Sequence, residues 1–372
     1  MAMLHQTLPD DIILEILSRA DSVVIGRSRT LSKFWNEALW APEFVLRHTM
    51  SQTRKHKSVI VHASYLHARE KIDSLIRILP STGTRTYVAL PTKLTGSGAF
   101  NLVGCENGML CITEKGHGNN ANILLYSMLT QSENLISYPA KVTQRNKVLM
   151  YAFTYHPMTL DYCNFHGFQK NVGDRLWGYT IYSSNTKQWS NVVACHGDLS
   201  TMGNKYCSNL GTIYWIKFAS NQSNHAESVV AYSVTLDQFN NYIIPYKRRG
   251  GKHALIKYKG NVCLANIVND NGRQHTTTLW TVSSIVDQTF KWKATLKISN
   301  LRRYVNPFFF IKSDLVCITD DCRDTHGELD AIILSRFQTN QPFARHHILC
   351  GGCGHQLQIK YVDEIVPSIY PV

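Results

Sequence analysis

The chain has 372 residues, 44% of them hydrophobic and 17% charged, with a formal net charge of +13. Charge is too sparse and aromatic residues too plentiful for a disordered chain, and the length admits two or three domains, or one small domain beside one large one. The basic balance raises affinity for acidic partners of any kind and is silent on fold.

The amino terminus is acidic early and has no basic stretch ahead of an apolar core, so no signal peptide is expected. No run approaches the ~18 apolar residues that span a bilayer, and no membrane partner is expected. Leu8-Pro9-Asp10-Asp11 predicts a helix start, because proline suits the first turn and two carboxylates suit the positive end of the helix dipole. Ile12, Ile13, Ile16 and Leu17 then mark one amphipathic face. After a break at Ala20-Asp21-Ser22, a second segment carries Val23, Val24 and Ile25. A third carries Leu31, Phe34, Trp35, Ala38 and Leu39 at helical spacing, and Pro42 ends or restarts it. Residues 1–48 are therefore read as a small helical module. Residues 49–57, polar and basic, are read as a linker.

From Ser58 to the end the pattern changes to short strands between turn residues. Asn107-Gly108, flanked by Val103-Gly104-Cys105 and Met109-Leu110-Cys111, predicts a hairpin. Further strands are predicted at Val59–His62, Gly178–Tyr182, Gly211–Ile216, Val229–Val234, Gly260–Leu264, Thr278–Val282, Asp314–Ile318 and Ala331–Leu334. The 18 Tyr, 14 Phe and 7 Trp suit pleated, half-buried surfaces. One unit recurs: an apolar-Tyr-Ser strand end (Tyr182-Ser183; Tyr232-Ser233), polar residues, then Trp189 or Phe239 opening another strand. Leu279-Trp280-Thr281 with Trp292 varies it. A period of roughly 40–50 residues is that of propeller blades, and the β part would hold about six or seven, some degenerate. The fold class expected is mainly β with a small N-terminal α module: a β-propeller-like domain over 58–372.

Two regions carry a family resemblance. Leu8-Pro9-x-Asp11-Ile12-x3-Ile16-Leu17, continuing to Leu31-Ser32-Lys33-x-Trp35, resembles an F-box. Behind it, Gly104-Cys-Glu-Asn-Gly-Met-Leu-Cys111, Ile181-Tyr-Ser-Ser184 with Trp189, Gly211-Thr-Ile-Tyr-Trp215, Val230-Ala-Tyr-Ser-Val234, Gly260-Asn-Val-Cys-Leu264 and Tyr361–Val366 stand in the order of the F-box-associated domain of plant F-box proteins, including the S-locus type. The resemblance implies a non-catalytic substrate adaptor of a Skp1–cullin–F-box ubiquitin ligase. Its partners would be Skp1, cullin-1 through Skp1, and an unidentified protein substrate. By position, Leu8, Pro9, Ile12, Ile16, Leu17, Ile25, Leu31 and Trp35 match the apolar pattern that binds Skp1 or supports the module's own core. The sequence departs from the family at Ala20-Asp21, where Leu-Pro is usual, and at Gly26 and Thr30. A ligase-independent propeller with a decayed F-box is the alternative that this departure motivates.

The remaining motifs point to no chemistry and no cofactor. His346-His347-x2-Cys350-Gly-Gly-Cys353-Gly-His355 has zinc-like spacing but no second well-placed pair, and suits a turn. Asp320–Glu328 lacks a calcium register and reads as a solvated loop. Lys247, Arg248, Arg249 and Lys252 form a basic, glycine-containing loop without phosphate-loop spacing; it is a candidate contact for an acidic partner. A nucleic-acid-binding β protein is the reading that charge alone suggests, but aromatics that recur once per blade are better explained by core packing. Most of the ten cysteines lie inside apolar runs, which suits buried free thiols and a reducing compartment, cytosol or nucleus.

Overall fold

The computed structural model describes residues 8–41, 43–45, 47–48, 51, 58–67, 70–79, 84–88, 100–114, 122–128, 132–137, 147–156, 158–169, 176–197, 199–219, 226–244, 252–258, 261–270, 274–286, 289–301, 308–311, 314–320, 331–336, 341–347 and 358–365. Helix α1 is Asp10–Ser18, α2 is Ser22–Ser28 and α3 is Lys33–Ala38. Pro9 sits at the N-cap of α1, where its missing N–H costs nothing, and its carbonyl accepts from the amides of Ile12 and Ile13 at 3.1 Å. The Ser32 hydroxyl caps α3 by accepting from the Trp35 amide at 3.2 Å.

Among the described residues, twenty-five strands then build six antiparallel sheets. Blade 2 comprises β4 (Phe100–Glu106), β5 (Met109–Glu114), β6 (Ile123–Ser127) and β7 (Glu133–Ile136). Blade 3 comprises β8 (Lys147–His156), β9 (Asp161–Gln169), β10 (Leu176–Ser183) and β11 (Gln188–Trp189), with β12 (Val193–His196) also paired to β10. Blade 4 holds β13 (Met202–Asn209), β14 (Thr212–Phe218), β15 (Ala226–Ser233) and β16 (Gln238–Ile243). Blade 5 holds β17 (Lys252–Tyr258), β18 (Asn261–Asp270), β19 (Gln274–Val286) and β20 (Thr289–Leu301). Blade 6 holds β21 (Phe308–Ile311), β22 (Asp314–Asp320), β23 (Ala331–Arg336) and β24 (Gln341–His347). Blade 1 is closed from both ends of the domain: β1 (Ser58–His67), β2 (Glu70–Leu79) and β3 (Thr84–Tyr87) are joined by the last strand, β25 (Gln358–Ile365), which pairs with β1.

The first strand of each sheet lies innermost. β25, β4, β8, β13, β17 and β21 neighbour one another in that order, and β21 returns to β25. The ring is therefore a β-propeller of six blades, the lower end of the predicted range. Adjacent blades share their cores. Ile60 and Leu75 of blade 1 pack with Phe100, Leu110 and Leu124 of blade 2. Phe165 and Tyr179 of blade 3 pack with Trp215 and Tyr232 of blade 4. Ile216, Ala231 and Tyr242 of blade 4 pack with Leu264 of blade 5. Strands sandwiched between blades lose the polar alternation: β6 is buried throughout and β9 nearly so, whereas the outer β7 alternates.

The recurring Tyr-Ser unit is the hairpin between the third and fourth strands of a blade. Tyr182 opposes Trp189 and Tyr232 opposes Phe239, their rings 5.5 Å and 4.7 Å apart. The predicted hairpin at Asn107-Gly108 joins β4 to β5, with φ of 46° and 78° at the two turn residues. Six cysteines among the described residues are thiols outside any disulfide. Cys105, Cys111, Cys163, Cys207 and Cys263 are buried, and burial pushes the Cys111 and Cys163 thiols up, away from reactivity.

Candidate functional site: the exposed face of the helical module

Each helix divides its apolar residues between two environments. On α1, Leu14 and Leu17 pack against a buried cluster, while Ile12 and Ile16 remain 44% and 55% exposed. Leu8, one turn earlier, is also exposed, so Leu8, Ile12 and Ile16 form a stripe at i, i+4, i+8. On α2, Ile25 is fully buried and Val24 exposed. Around α3, Leu39 is buried and Trp35 half-buried against the same cluster, while Leu31 is 72% exposed and Phe34 is exposed. Pro9 is exposed at the helix start.

Of the eight sequence-predicted residues, the structure thus leaves Leu8, Pro9, Ile12, Ile16 and Leu31 at the surface. It turns Leu17, Ile25 and Trp35 inward. Val24 and Phe34 join the exposed set; the helical spacing contained both, but nothing in it distinguished an outward from an inward position.

The inward residues fix the module. Ile25, Leu39, Phe44 and Val45 belong to one buried cluster with Met109, Cys111 and Ile123 of blade 2 and Phe153, Tyr155 and Tyr162 of blade 3. Polar contacts add to this. Arg29 stacks over the Trp40 ring at 3.8 Å and donates to Asn36 at 3.0 Å. The His48 ring lies 3.1 Å from the Ala20 carbonyl, and burial draws its pKa down. The Ala20-Asp21 step is therefore integral to the packing: Ala20 is half-buried against the cluster and the Asp21 charge acts on Arg77 of β2. Glu15 bridges Arg19 and Arg47, and the bond from Arg19 holds its carboxyl below the usual range.

The propeller has two faces. Consecutive strands are antiparallel, so the turns after the first and third strands of each blade lie at one end of the ring: Asn107-Gly108, Met158–Leu160, Ser184–Lys187, Leu210-Gly211 and Val234–Asp237. Among the described residues, those with positive φ other than glycine (Asn107, Leu160, Lys187, Leu210 and Asp237) all lie on this turn face. β1 begins here too, pairing its Ser58 with Ile365 at the end of β25. Strand ends joined by the remaining connections lie on the opposite face.

The predicted basic loop joins β16 to β17 on that opposite face. Lys247, Arg248 and Arg249 lie outside the described residues, and Lys252 opens β17 opposite Ile267. In the zinc-like motif, His346 and His347 end β24, while Cys350, Cys353 and His355 lie outside the described residues. Asp320 ends β22, and the rest of the acidic loop also lies outside them. Among the described residues no group of three or more His, Cys, Asp or Glu side chains is placed to hold a metal ion. No helix among them is long and apolar enough to cross a membrane.

Comparison with known proteins gives one family. A family model described as "F-box associated beta propeller domain" matches residues 63–363. No curated protein matches the chain significantly. Among solved structures, a prolyl endopeptidase aligns over 94% of this chain and 55% of its own, at 9% identity and a TM-score of 0.41. The Dos1 propeller aligns over 73% of this chain and 66% of its own, at 11% identity and a TM-score of 0.36. A mutant of AofleA from Arthrobotrys oligospora aligns over 82% of this chain and 85% of its own, at 10% identity and a TM-score of 0.41. The chain spans about half the length of the first of these and just under two thirds of the second.

Proposed function

The chain belongs to the F-box associated beta propeller domain family, and from that premise we propose that it is the substrate-recognition subunit of a Skp1–cullin–F-box ubiquitin ligase. The observation that carries the proposal is the helical module's exposed apolar set: Leu8, Ile12, Ile16, Val24, Leu31 and Phe34. These six lie outside the buried cluster that fixes the module on blades 2 and 3, so folding gives no reason to keep them in water. Fully burying such a side chain is worth roughly 1.5–3 kcal/mol, and these, about half exposed, have about half of that to gain. The set together can outweigh the cost of association, on the order of 4–15 kcal/mol.

In this reading the module is an F-box. The exposed set, with Pro9 at the helix start, contacts Skp1. Leu17, Ile25 and Trp35 act from inside by holding the helices in register. Skp1 joins the chain to cullin-1, and the propeller holds a protein target. The subunit performs no bond chemistry and needs no cofactor; it raises the effective concentration of a target lysine near the charged ubiquitin carrier. The ligase reading places the chain in the cytosol or nucleus. The basic stretch of Lys247, Arg248, Arg249 and Lys252 serves as a contact for an acidic partner, a role that rests on charge clustering alone.

The test is co-expression with Skp1 and cullin-1, followed by size-exclusion chromatography and a ubiquitin-chain assay. Co-elution of all three with chain-forming activity supports the proposal. A folded chain that elutes apart from Skp1 overturns it.

A further inference from the structure

Four turns on the turn face of blades 3 and 4 are laced into one surface. The His156 ring is at the centre. Its Nδ1 accepts from the Thr159 amide at 3.1 Å, and its Nε2 lies 2.5 Å from the Thr235 hydroxyl in the next blade. Gly211 sits against the same ring, so closely that a Cβ there would come within 2.7 Å of it. The Val234 amide donates to the Gly211 carbonyl at 3.0 Å, and the Asn185 side chain donates to the Thr159 carbonyl at 2.8 Å. Met158–Leu160, Ser184–Lys187, Leu210-Gly211 and Val234–Asp237 are therefore fixed relative to one another, across a blade boundary.

Three apolar side chains stand out from this surface: Met158 is 76% exposed, Leu210 67% and Leu236 68%. The fold itself explains neither leucine. Leu210 has φ of 48° and precedes Gly211 at 77°. The same turn in blade 2 places Asn107 at 46° and Gly108 at 78°. Asparagine suits that left-handed conformation; leucine is penalised there and gains nothing by facing water. Between the third and fourth strands, blade 3 reads Ser183-Ser-Asn-Thr186-Lys187-Gln188 where blade 4 reads Ser233-Val-Thr-Leu236-Asp237-Gln238. Thr186 thus stands in the place of Leu236. Asn107 of blade 2 and Thr186 of blade 3 are thus polar at the two positions where blade 4 carries leucine.

The charges have a consistent arrangement. The carboxylates near the turns are engaged internally. Asp237 accepts from Tyr179 at 2.8 Å and from Tyr232 at 2.5 Å. Asp161 accepts from Ser183, Ser184 and Asn185. Lys187, by contrast, is exposed at a turn tip, on a chain of net charge +13. A preorganised, apolar surface with an outward cation and its anions turned inward complements an acidic segment bearing apolar anchors.

We propose that this platform on blades 3 and 4 docks an acidic, apolar segment of a partner protein. The ligase reading above makes that partner the target; the platform itself does not depend on Skp1.

The test uses the full chain and three labelled twelve-residue peptides, read by fluorescence anisotropy. One alternates Glu or Asp with Leu or Phe, a second replaces the acids with Lys, and a third replaces the apolar residues with Ser. The variant is Leu210→Asn with Leu236→Thr, in which the two turns take the residues that their counterparts carry in blades 2 and 3, so folding is retained. The platform predicts that only the acidic, apolar peptide binds, that the double variant weakens it at least tenfold, and that Lys187→Glu weakens it about threefold with a flatter salt dependence. Equal binding of the Lys or Ser peptide overturns the proposal, as does undiminished binding by the double variant. So does sedimentation showing that the platform is buried between two copies of the chain. Skp1 capture is measured on the same preparations: retained Skp1 binding with no peptide binding sinks the platform alone, and the reverse sinks the ligase reading alone.

Discussion

Glu106 at the end of β4 and Lys257 near the end of β17 form an ion pair of 2.8 Å, although their blades stand on opposite sides of the ring. The pair spans the axis of the propeller at its turn face, and the Ser208 hydroxyl of β13 also donates to Glu106. One carboxylate thus ties three blades. Lys257 is a third exposed, which screens the pair, so Lys257→Met should lower stability by only ~1 kcal/mol. Glu106→Gln should cost somewhat more, because it leaves the ammonium without its charge partner. Urea unfolding of the two single variants and the double variant checks this. The double-mutant cycle should return a coupling of about 0.5–1 kcal/mol that shrinks in high salt.

Gly104 is required by a close approach. The Tyr206 hydroxyl donates to the Val103 carbonyl and accepts from the Phe153 amide, both at 2.9 Å, and so bridges the innermost strands of blades 2, 3 and 4. A Cβ on Gly104 would overlap that hydroxyl. Gly104→Ala should therefore destabilise by roughly 2–4 kcal/mol, combining overpacking with lost hydrogen bonds. Tyr206→Phe, which only removes the hydroxyl, should cost about 1–3 kcal/mol. Thermal melts of the two variants check this, and an unchanged melting temperature for Tyr206→Phe would show the tyrosine bridge to be incidental.

The third prediction concerns pH. His166 is buried beside Trp189 and Tyr151, and burial pushes its pKa down to about 3. An unfolded histidine binds its proton near pH 6.5. Between those values the unfolded state holds the extra proton, so stability must fall as pH drops below ~6.5. By pH 5 this one group contributes a loss of up to ~2 kcal/mol, and His48 is shifted in the same direction. At the alkaline end the sign of the charge change is opposite. Burial, and then the bond to Asp237, raise Tyr179 and Tyr232, so the native state keeps protons that the unfolded chain loses near pH 10. Stability should fall again as pH rises past ~10. Melting midpoints from pH 5 to 11 should trace a dome, and His166→Gln should flatten its acid limb.

The blade architecture was legible because packing repeats once per blade. Tyr182 with Trp189 and Tyr232 with Phe239 are cross-strand pairs, and pairs that must meet leave a fixed spacing in the sequence. Asn107-Gly108 was legible because its turn demands left-handed residues. The division of the helical face was not. Ile16 and Leu17 are both apolar and adjacent, and only the position of blades 2 and 3 decides which one is covered. Leu210 escaped notice for a related reason: its Leu-Gly turn lacks the asparagine that announces a hairpin, and the functional sign is the mismatch itself.

That mismatch yields a fourth prediction. Leu210→Asn relieves a left-handed leucine and removes an exposed apolar side chain, so it should raise stability by up to ~1 kcal/mol. Chemical unfolding of the single variant measures it. A loss of stability would mean that Leu210 packs usefully in the free chain, and would weaken the case for a docking role.

In the ligase reading the exposed, not the buried, half of the helical module binds Skp1. Its most direct measurement is the affinity of purified Skp1 for the full chain against an Ile16→Asp, Leu31→Asp variant, by biolayer interferometry, with circular dichroism confirming that both are folded. Both side chains face solvent, so the charges leave the core undisturbed. The expected result is at least a hundredfold loss of affinity in the variant, with unchanged melting. Equal Skp1 affinity in the two chains would overturn the assignment of this face to Skp1.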